Sequence, residues 1–192
     1  MVRNANTKRA IMDLAENFIQ ERGFNGFSYA HIAKELDVAN AAIHYHFPTK
    51  DELACAVIQR YRDRFQLWIN NARVKDLSSR EKLDWFFSIY TNTRGDNGKV
   101  CLAGSLETEF NSLPGPLREQ TEALTRELLG WLQAILDEGR EAGVFHFGGD
   151  ASSKAALILS SLQGALQMAR ALGTDKFHAV VEQHKQDLLA PA

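Results

Sequence analysis

An all-α fold is predicted for this 192-residue chain: an N-terminal three-helix, helix-turn-helix head on a larger helical body. Three observations carry that reading. Apolar residues recur every three or four positions through almost the whole chain, the period of one helix face. No stretch alternates apolar and polar for long enough to build a sheet. Turn formers such as Gly23, Pro48, Gly143 and Gly148-Gly149 fall where the helical periodicity breaks.

In chain order, Asn6 or Thr7 opens the first helix, whose apolar stripe is Ile11, Leu14, Ala15, Phe18 and Ile19, and Gly23 ends it. Phe24 and Phe27 are expected to pin the following loop onto the head. Ser28 can cap a short second helix with Ile32, Ala33 and Leu36 as its inner face. Asp37-Val38 supplies a tight turn, because Asp enters the left-handed region at modest cost. The third helix, Ala39 to Phe47, buries Val38, Ala42, Ile43 and Phe47. Its other face carries Asn40, Ala41, His44, Tyr45 and His46, and nothing acidic. Pro48 stops it. Thr49 then caps the next helix, with Asp51 and Glu52 in the first turn, where the helix dipole favours them.

That fourth helix is expected to run to Lys75 through Leu53, Val57, Tyr61, Phe65, Trp68 and Ile69, with Arg60, Arg62, Arg64 and Arg73 as a solvated face. It joins the head (residues 1–53) to the body (54–192) without a flexible tether. In the body, Ser78-Ser79 starts a helix through Leu83 to Tyr90, and 94–98 is a loop. A short helix through Leu102, Leu106 and Phe110 ends at Leu113-Pro114-Gly115-Pro116. A long amphipathic helix, Leu117 to Ala142, closes at Gly143. Asp150 or Ser152 caps a helix to Leu172, and a last helix carries Phe177, Val180, Val181 and Leu188 before a frayed Pro-Ala end.

Composition narrows the class. Apolar residues make up 45% and charged residues 24%, as in ordinary globular proteins. The net charge of −2 gives no general attraction to nucleic acid, so any footprint is local: Arg3, Lys8, Arg9, Lys34 and Lys50. Two cysteines far apart form neither a disulfide framework nor a metal-finger spacing. No apolar run approaches membrane-spanning length and no signal-peptide core is visible, so no membrane partner and a reducing, cytoplasmic setting are expected. His44 and His46 point apart on a helix and neither they nor His31 has a Cys or acidic co-ligand, which argues against metal. No nucleophile–base pair, glycine-rich phosphate loop or paired carboxylates emerge. An enzyme with a cofactor is therefore not expected.

A helix of the third kind fits the major groove of DNA. Asn40 can meet a base edge, and Ala41 keeps that end slim enough to touch a thymine methyl. His44, Tyr45 and His46 offer donors to bases or phosphates, and Lys50 stands where a helix N-terminus can hold a phosphate.

The stretch D-V-A-N-A-A-I-H-Y-H-F-P-T-K-D-E-L, Asp37 to Leu53, resembles the signature of the tetracycline-repressor (TetR) family of bacterial transcription regulators. Two departures stand out: the family usually has Gly where this chain has Asp37, and Tyr where it has His44. By position, the resemblance gives Ser28 and Tyr29 the role of backbone clamps. It also implies double-stranded DNA with a palindromic operator as a partner, a homodimer, and a body that takes a small-molecule inducer. Ser160, Ser161, Gly164, Ala165, Met168 and Ala169 line a penultimate helix with mostly small residues; with Leu128 and Ile135 of the long helix they are the expected dimer surface. Trp68, Trp85, Phe86, Tyr90, Phe110 and Trp131 are candidates to line an apolar ligand pocket. Cys101, after Lys99-Val100, is a candidate sensor, because a helix N-terminus and a lysine both favour thiolate. The expected function is a homodimeric repressor released from its operator by a small apolar or aromatic ligand. The alternatives are induction by an electrophile or oxidant at Cys101, and a partner-binding or architectural protein with no inducer.

Overall fold

The computed structural model describes residues 2–93 and 98–189. Arg94 to Asn97 of the expected loop, the Pro191-Ala192 end and the side chain of Arg3 lie outside the described residues. In chain order the helices are α1 (Val2–Arg22), α2 (Tyr29–Leu36), α3 (Asn40–His46), α4 (Lys50–Ile69), α5 (Ala72–Lys75), α6 (Ser79–Thr93), α7 (Leu102–Thr108), α8 (Gly115–Glu141), α9 (Ala151–Leu172) and α10 (Asp175–Leu189), with a 3₁₀ turn at Phe110–Ser112. No strand occurs among the described residues, so the all-α expectation holds.

The fourth helix is shorter than its periodicity suggests. It ends at Ile69, because Asn71 draws the chain out of the helix: its N–H bonds back to the Trp68 carbonyl (3.0 Å) and its side chain accepts from the Arg73 N–H (3.0 Å), capping α5. Asparagine offers the backbone such local bonds in competition with helix. α8 starts earlier than expected, at Gly115, with Pro116 in the first turn, where a missing N–H is harmless. At α6, Ser78 and Glu81 form a reciprocal cap: the Glu81 carboxylate accepts from the Ser78 N–H (2.8 Å), and the Ser78 hydroxyl accepts from the Glu81 N–H (3.3 Å).

The chain forms two compact units that do not follow the line between head and body drawn at Leu53. The first comprises Met1–Gln66 and Leu102–Leu124, the second Leu67–Cys101 and Thr125–Ala192. In the first unit, Ile11, Ile19, Ile32, Ile43, Leu53, Ile58, Leu102 and Leu106 are fully buried. The arginines of α4 are ties, not a solvated face. Arg60 donates to Asp13 and to Glu16 of α1 (both 2.6 Å), Arg64 donates to Glu16, and Arg62 donates to Gln120 of α8 (2.7 Å). The buried Ser105 hydroxyl of α7 donates to the Ile19 carbonyl of α1. Arg64 and Arg73 are exposed, and Arg60 and Arg62 are half-buried.

In the second unit, α8 closes with a Schellman motif: Val144 N–H bonds to Gly139 O (2.8 Å) and Gly143 N–H to Arg140 O (3.0 Å), with Gly143 at φ 69°. A Cβ on Gly139 would fall 2.0 Å from the Phe145 ring, so the glycine is what lets this ring pack against the helix. Asp150 caps α9, its carboxylate accepting from the Ser153 N–H (2.8 Å). His184 of α10 is buried, its Nε2 in a short hydrogen bond with the Ser161 hydroxyl of α9. Its pKa is lowered, first by burial, then by the charge of Lys154, with Asp187 opposing. The unfolded chain therefore binds this proton more tightly than the folded one. The stabilisation is fully present above the ordinary histidine pKa of about 6.5 and is lost as pH falls through the depressed value. Melting curves between pH 7.5 and 5 are expected to show that loss, and His184→Gln to flatten it; an unchanged pH dependence in the variant would contradict this account.

Candidate nucleic-acid interface

The interface is built from the α2–turn–α3 unit. Ser28 is extended (φ −139°, ψ 169°) at the N-cap of α2, and the His31 ring Nδ1 accepts from the Ser28 backbone N–H (3.1 Å). His31 thus occupies the place that Glu or Gln takes in a capping box. Its position three residues after Ser28 was the available signal. At the other end of α2, Asp37 adopts the left-handed conformation (φ 52°, ψ 50°). Val38 N–H reaches the Ala33 carbonyl (3.0 Å) and Asp37 N–H the Lys34 carbonyl (3.4 Å), a Schellman turn made with Asp in place of Gly.

α3 follows from Ala39 and ends at Phe47, whose extended backbone (φ −140°, ψ 98°) is the conformation that Pro48 imposes on its neighbour. Only Ile43 of α3 is buried; Asn40, Ala41, His44 and Tyr45 are exposed and His46 is half-buried. Tyr45 keeps 75% of its surface open to solvent, more than the other large exposed apolar side chains of the chain. It meets the His46 ring edge-on at 5.2 Å. The His44 Nδ1–H donates to the Pro48 carbonyl (3.1 Å); because a carbonyl only accepts, Nδ1 carries the proton, and a neutral ring then has Nε2 as its acceptor.

Tyr29 is placed differently from its neighbours. It is buried, its hydroxyl donates to the Phe47 carbonyl (2.8 Å), and its ring packs edge-on against His44 at 4.7 Å. Burial, with Glu52 and Asp51 nearby, pushes its pKa up to about 12, so it is a neutral donor at any working pH. The bond closes the end of α3 onto the start of α2, which makes Tyr29 a support behind the face. Tyr29→Phe would strand a buried carbonyl and is expected to cost about 1–2 kcal/mol, read as a lower denaturant midpoint at constant slope.

Lys50 also faces inward in part. Its ammonium lies 4.4 Å from the Phe24 ring centre and 4.6 Å from that of Phe27. Its pKa is lowered by burial, against the opposing pull of Glu109 and Asp51. Reaching a phosphate requires it to leave those rings. Thr49 caps α4, accepting from the Glu52 N–H (3.2 Å). Of the local cations, Arg9 and Lys34 are exposed, and Lys8 lies over the Phe47 ring at 5.3 Å.

Outside the head, the expected site residues divide. Trp68 and Trp85 stack in parallel, Trp131 meets Trp68 edge-on (5.0 Å), and Phe86 packs on Trp131 (5.7 Å) and on Tyr90 (5.3 Å). These five fill space against one another. Phe110 belongs to the other compact unit and is not among them. A cavity of about 170 Å³ touches the cluster only at Trp131; Ile69, Val74, Lys75, Lys82, Ala134, Ile135 and Glu138 complete its wall. Lys82 donates to both oxygens of Glu138 there (3.0 and 2.9 Å).

Cys101 precedes α7 and is 3% exposed, with its thiol 3.8 Å from the Tyr90 hydroxyl, which is not the open position that a reactive thiolate needs. Cys55 is half-buried, and burial raises its pKa. Of the expected dimer residues, Leu128 (3% exposed), Ile135 (2%) and Ala165 (0%) are already buried inside one protomer and have no surface left for a partner. Ser161 is half-buried on His184, while Gly164 and Met168 are exposed. Sequence periodicity marks a face as apolar but does not say which neighbour covers it. Among the described residues, no His, Cys, Asp or Glu group is placed to hold a metal, and no helix is long and apolar enough to cross a membrane.

Comparison with known proteins agrees with this architecture. The family described as "Bacterial regulatory proteins, tetR family" matches residues 11–57, and the one described as "Tetracyclin repressor-like, C-terminal domain" matches residues 81–184. Among solved structures, a TetR-family transcriptional regulator from Agrobacterium tumefaciens is 28% identical, with a TM-score of 0.89 over 97% of this chain and 100% of that one. A TetR transcriptional regulator from Legionella pneumophila is 32% identical, with a TM-score of 0.81 over 94% and 96%. An uncharacterized HTH-type transcriptional regulator in the lacX 3′ region of Lactococcus lactis subsp. lactis is 28% identical over 131 residues; the match spans 64% of each chain, just under two thirds of that relative. The signature at α2–α3, the second-domain match and the shared fold place this chain in the TetR family of DNA-binding transcriptional regulators, which are not enzymes.

Proposed function

We propose that the protein is a homodimeric repressor that reads a palindromic operator with α3 and leaves it when a small molecule binds in the second unit. The observation that carries the DNA-reading part is the outer face of α3. Asn40, Ala41, His44 and Tyr45 stand in solvent with no acidic residue among them. A groove-reading helix needs such a face. Ser28 and Lys50 flank it as phosphate contacts, Tyr29 supports it from behind, and His46 contributes its exposed edge.

For the dimer, α9 supports a narrower surface than sequence suggested. Leu157, Ser161, Gly164, Met168 and Leu172 fall at successive helical turns on one face, and Leu157, Met168 and Leu172 are 55%, 45% and 70% exposed. For the inducer, the half-open cleft beside Trp131 is the candidate place. Its wall combines an aromatic ring and aliphatic groups with Lys75, Lys82 and Glu138, which suits a small apolar or aromatic body carrying an ionisable group. The buried Cys101 favours reversible ligand binding over thiol modification. Release then follows from differential affinity: a ligand that binds better to the non-reading conformation shifts the population towards it. A cytoplasmic setting fits this role and the two free thiols.

The test is a gel-shift titration on duplexes selected from a random pool by the wild-type protein, repeated with N-ethylmaleimide and with Cys101→Ser. Tight, sequence-selective binding indifferent to the reagent is the expected result. Release by the reagent in wild type but not in Cys101→Ser would replace the ligand reading with the thiol one.

A further inference from the structure

We propose that Glu109, between α7 and the 3₁₀ turn, is the residue that positions the DNA-reading head, by latching the α1–α2 loop through its backbone. Its carboxylate accepts from the backbone N–H of Phe24, and its Oε1 accepts from that of Asn25 (3.2 Å). Beside it, the Asn25 side chain donates to the Ser112 hydroxyl (3.0 Å), and the buried Ser105 hydroxyl donates to the Ile19 carbonyl at the end of α1. Gly23 makes room for the latch: its φ is 82°, and a Cβ there would lie 2.7 Å from the Glu109 carboxylate. Bonds to an ionised acceptor are the strong ones, and they are directional, so they fix where the loop enters α2.

Chain topology makes this contact a place for control. The chain passes between the compact units at Gln66-Leu67 inside α4, at Cys101-Leu102 just before α7, and at Leu124-Thr125 inside α8. α4 is therefore only one of three places where the chain runs from the head's compact unit into the other. The Leu102–Leu124 segment belongs to the family's C-terminal domain match, yet it is compact with the head, and both its ends run into the second unit. Glu109 is the point where that segment grips the loop leading into α2. Its charge also acts on Lys50, favouring the ammonium that Phe24 and Phe27 hold. A shift of α7 relative to α1 would loosen the latch, turn the α2–α3 pair and swing Lys50, all through one carboxylate.

The experiment compares Glu109→Ala and the isosteric Glu109→Gln with wild type in the full chain. It reads amide exchange at Phe24 and Asn25, and affinity for both a duplex selected by the wild type and a scrambled duplex. For Glu109→Ala, faster exchange at those two amides and about tenfold weaker binding to the selected duplex are expected, with a much smaller loss on the scrambled duplex. Glu109→Gln, which keeps one acceptor oxygen but no charge, is expected to fall between, and it carries the test alone if Glu109→Ala does not fold. Wild-type affinity and selectivity in a variant whose loop amides exchange faster would overturn the proposal. So would an equal loss on both duplexes, because that reports unfolding or lost charge instead of lost orientation.

Discussion

A chain with Leu157 and Met168 both replaced by glutamate is expected to sediment as a monomer and to bind operator DNA roughly 10²–10⁴-fold more weakly. The two side chains stand on one face of α9 with Gly164 between them, and a Cβ at Gly164 would meet nothing within 4 Å in the single chain. Glycine inside a helix costs about 1 kcal/mol relative to alanine, and no neighbour within the protomer requires it here. Close approach of a second copy would require it, and the flanking Leu157, Met168 and Leu172 would then leave water together. Two carboxylates per chain on that face put four charges into a two-fold interface, so association is strongly opposed. The DNA defect follows from valence. In the proposed dimer each head binds one half-site, and a monomer loses the high effective concentration of the second head. A variant that stayed dimeric would move the interface elsewhere.

Truncating Tyr45 or Asn40 to alanine is expected to weaken specific binding by about 1–3 kcal/mol per residue in each half-site. Both side chains are exposed and neither helps to bury the head, so the free protein should melt as wild type does. Neither carries charge, so the salt dependence of binding should keep its slope while specific affinity falls. The pattern would differ for Lys34→Ala, where an exposed cation is removed and the slope itself should shrink by about one unit. Equal loss on specific and scrambled duplexes for Asn40→Ala would show that this residue holds the backbone and does not read bases.

The residues that made the head legible are those whose backbone demands are local. Asp37 in a left-handed turn, Pro48 forcing Phe47 extended, and Thr49 capping α4 all behave as isolated rules require, and they fix the register of α3. What sequence missed depends on distant partners. Arg60 looks like a surface charge until Asp13 and Glu16 of α1 are beside it. Tyr29 looks like a contact residue until the Phe47 carbonyl claims its hydroxyl. Leu128, Ile135 and Ala165 lie on apolar faces that the same chain covers. The aromatic cluster shows the same limit, since spacing identifies rings that face inward but not whether they leave a cavity among them. Glu109 had no sequence signal, because its partners are backbone N–H groups 84 and 85 residues away.

Hydroxyl-radical and methylation footprints on a selected duplex test the central claim most directly. Two major-groove patches about one helical turn (about 34 Å) apart, related by a palindrome, are expected from a dimer reading with α3. A single patch, or protection confined to the minor groove, would contradict it.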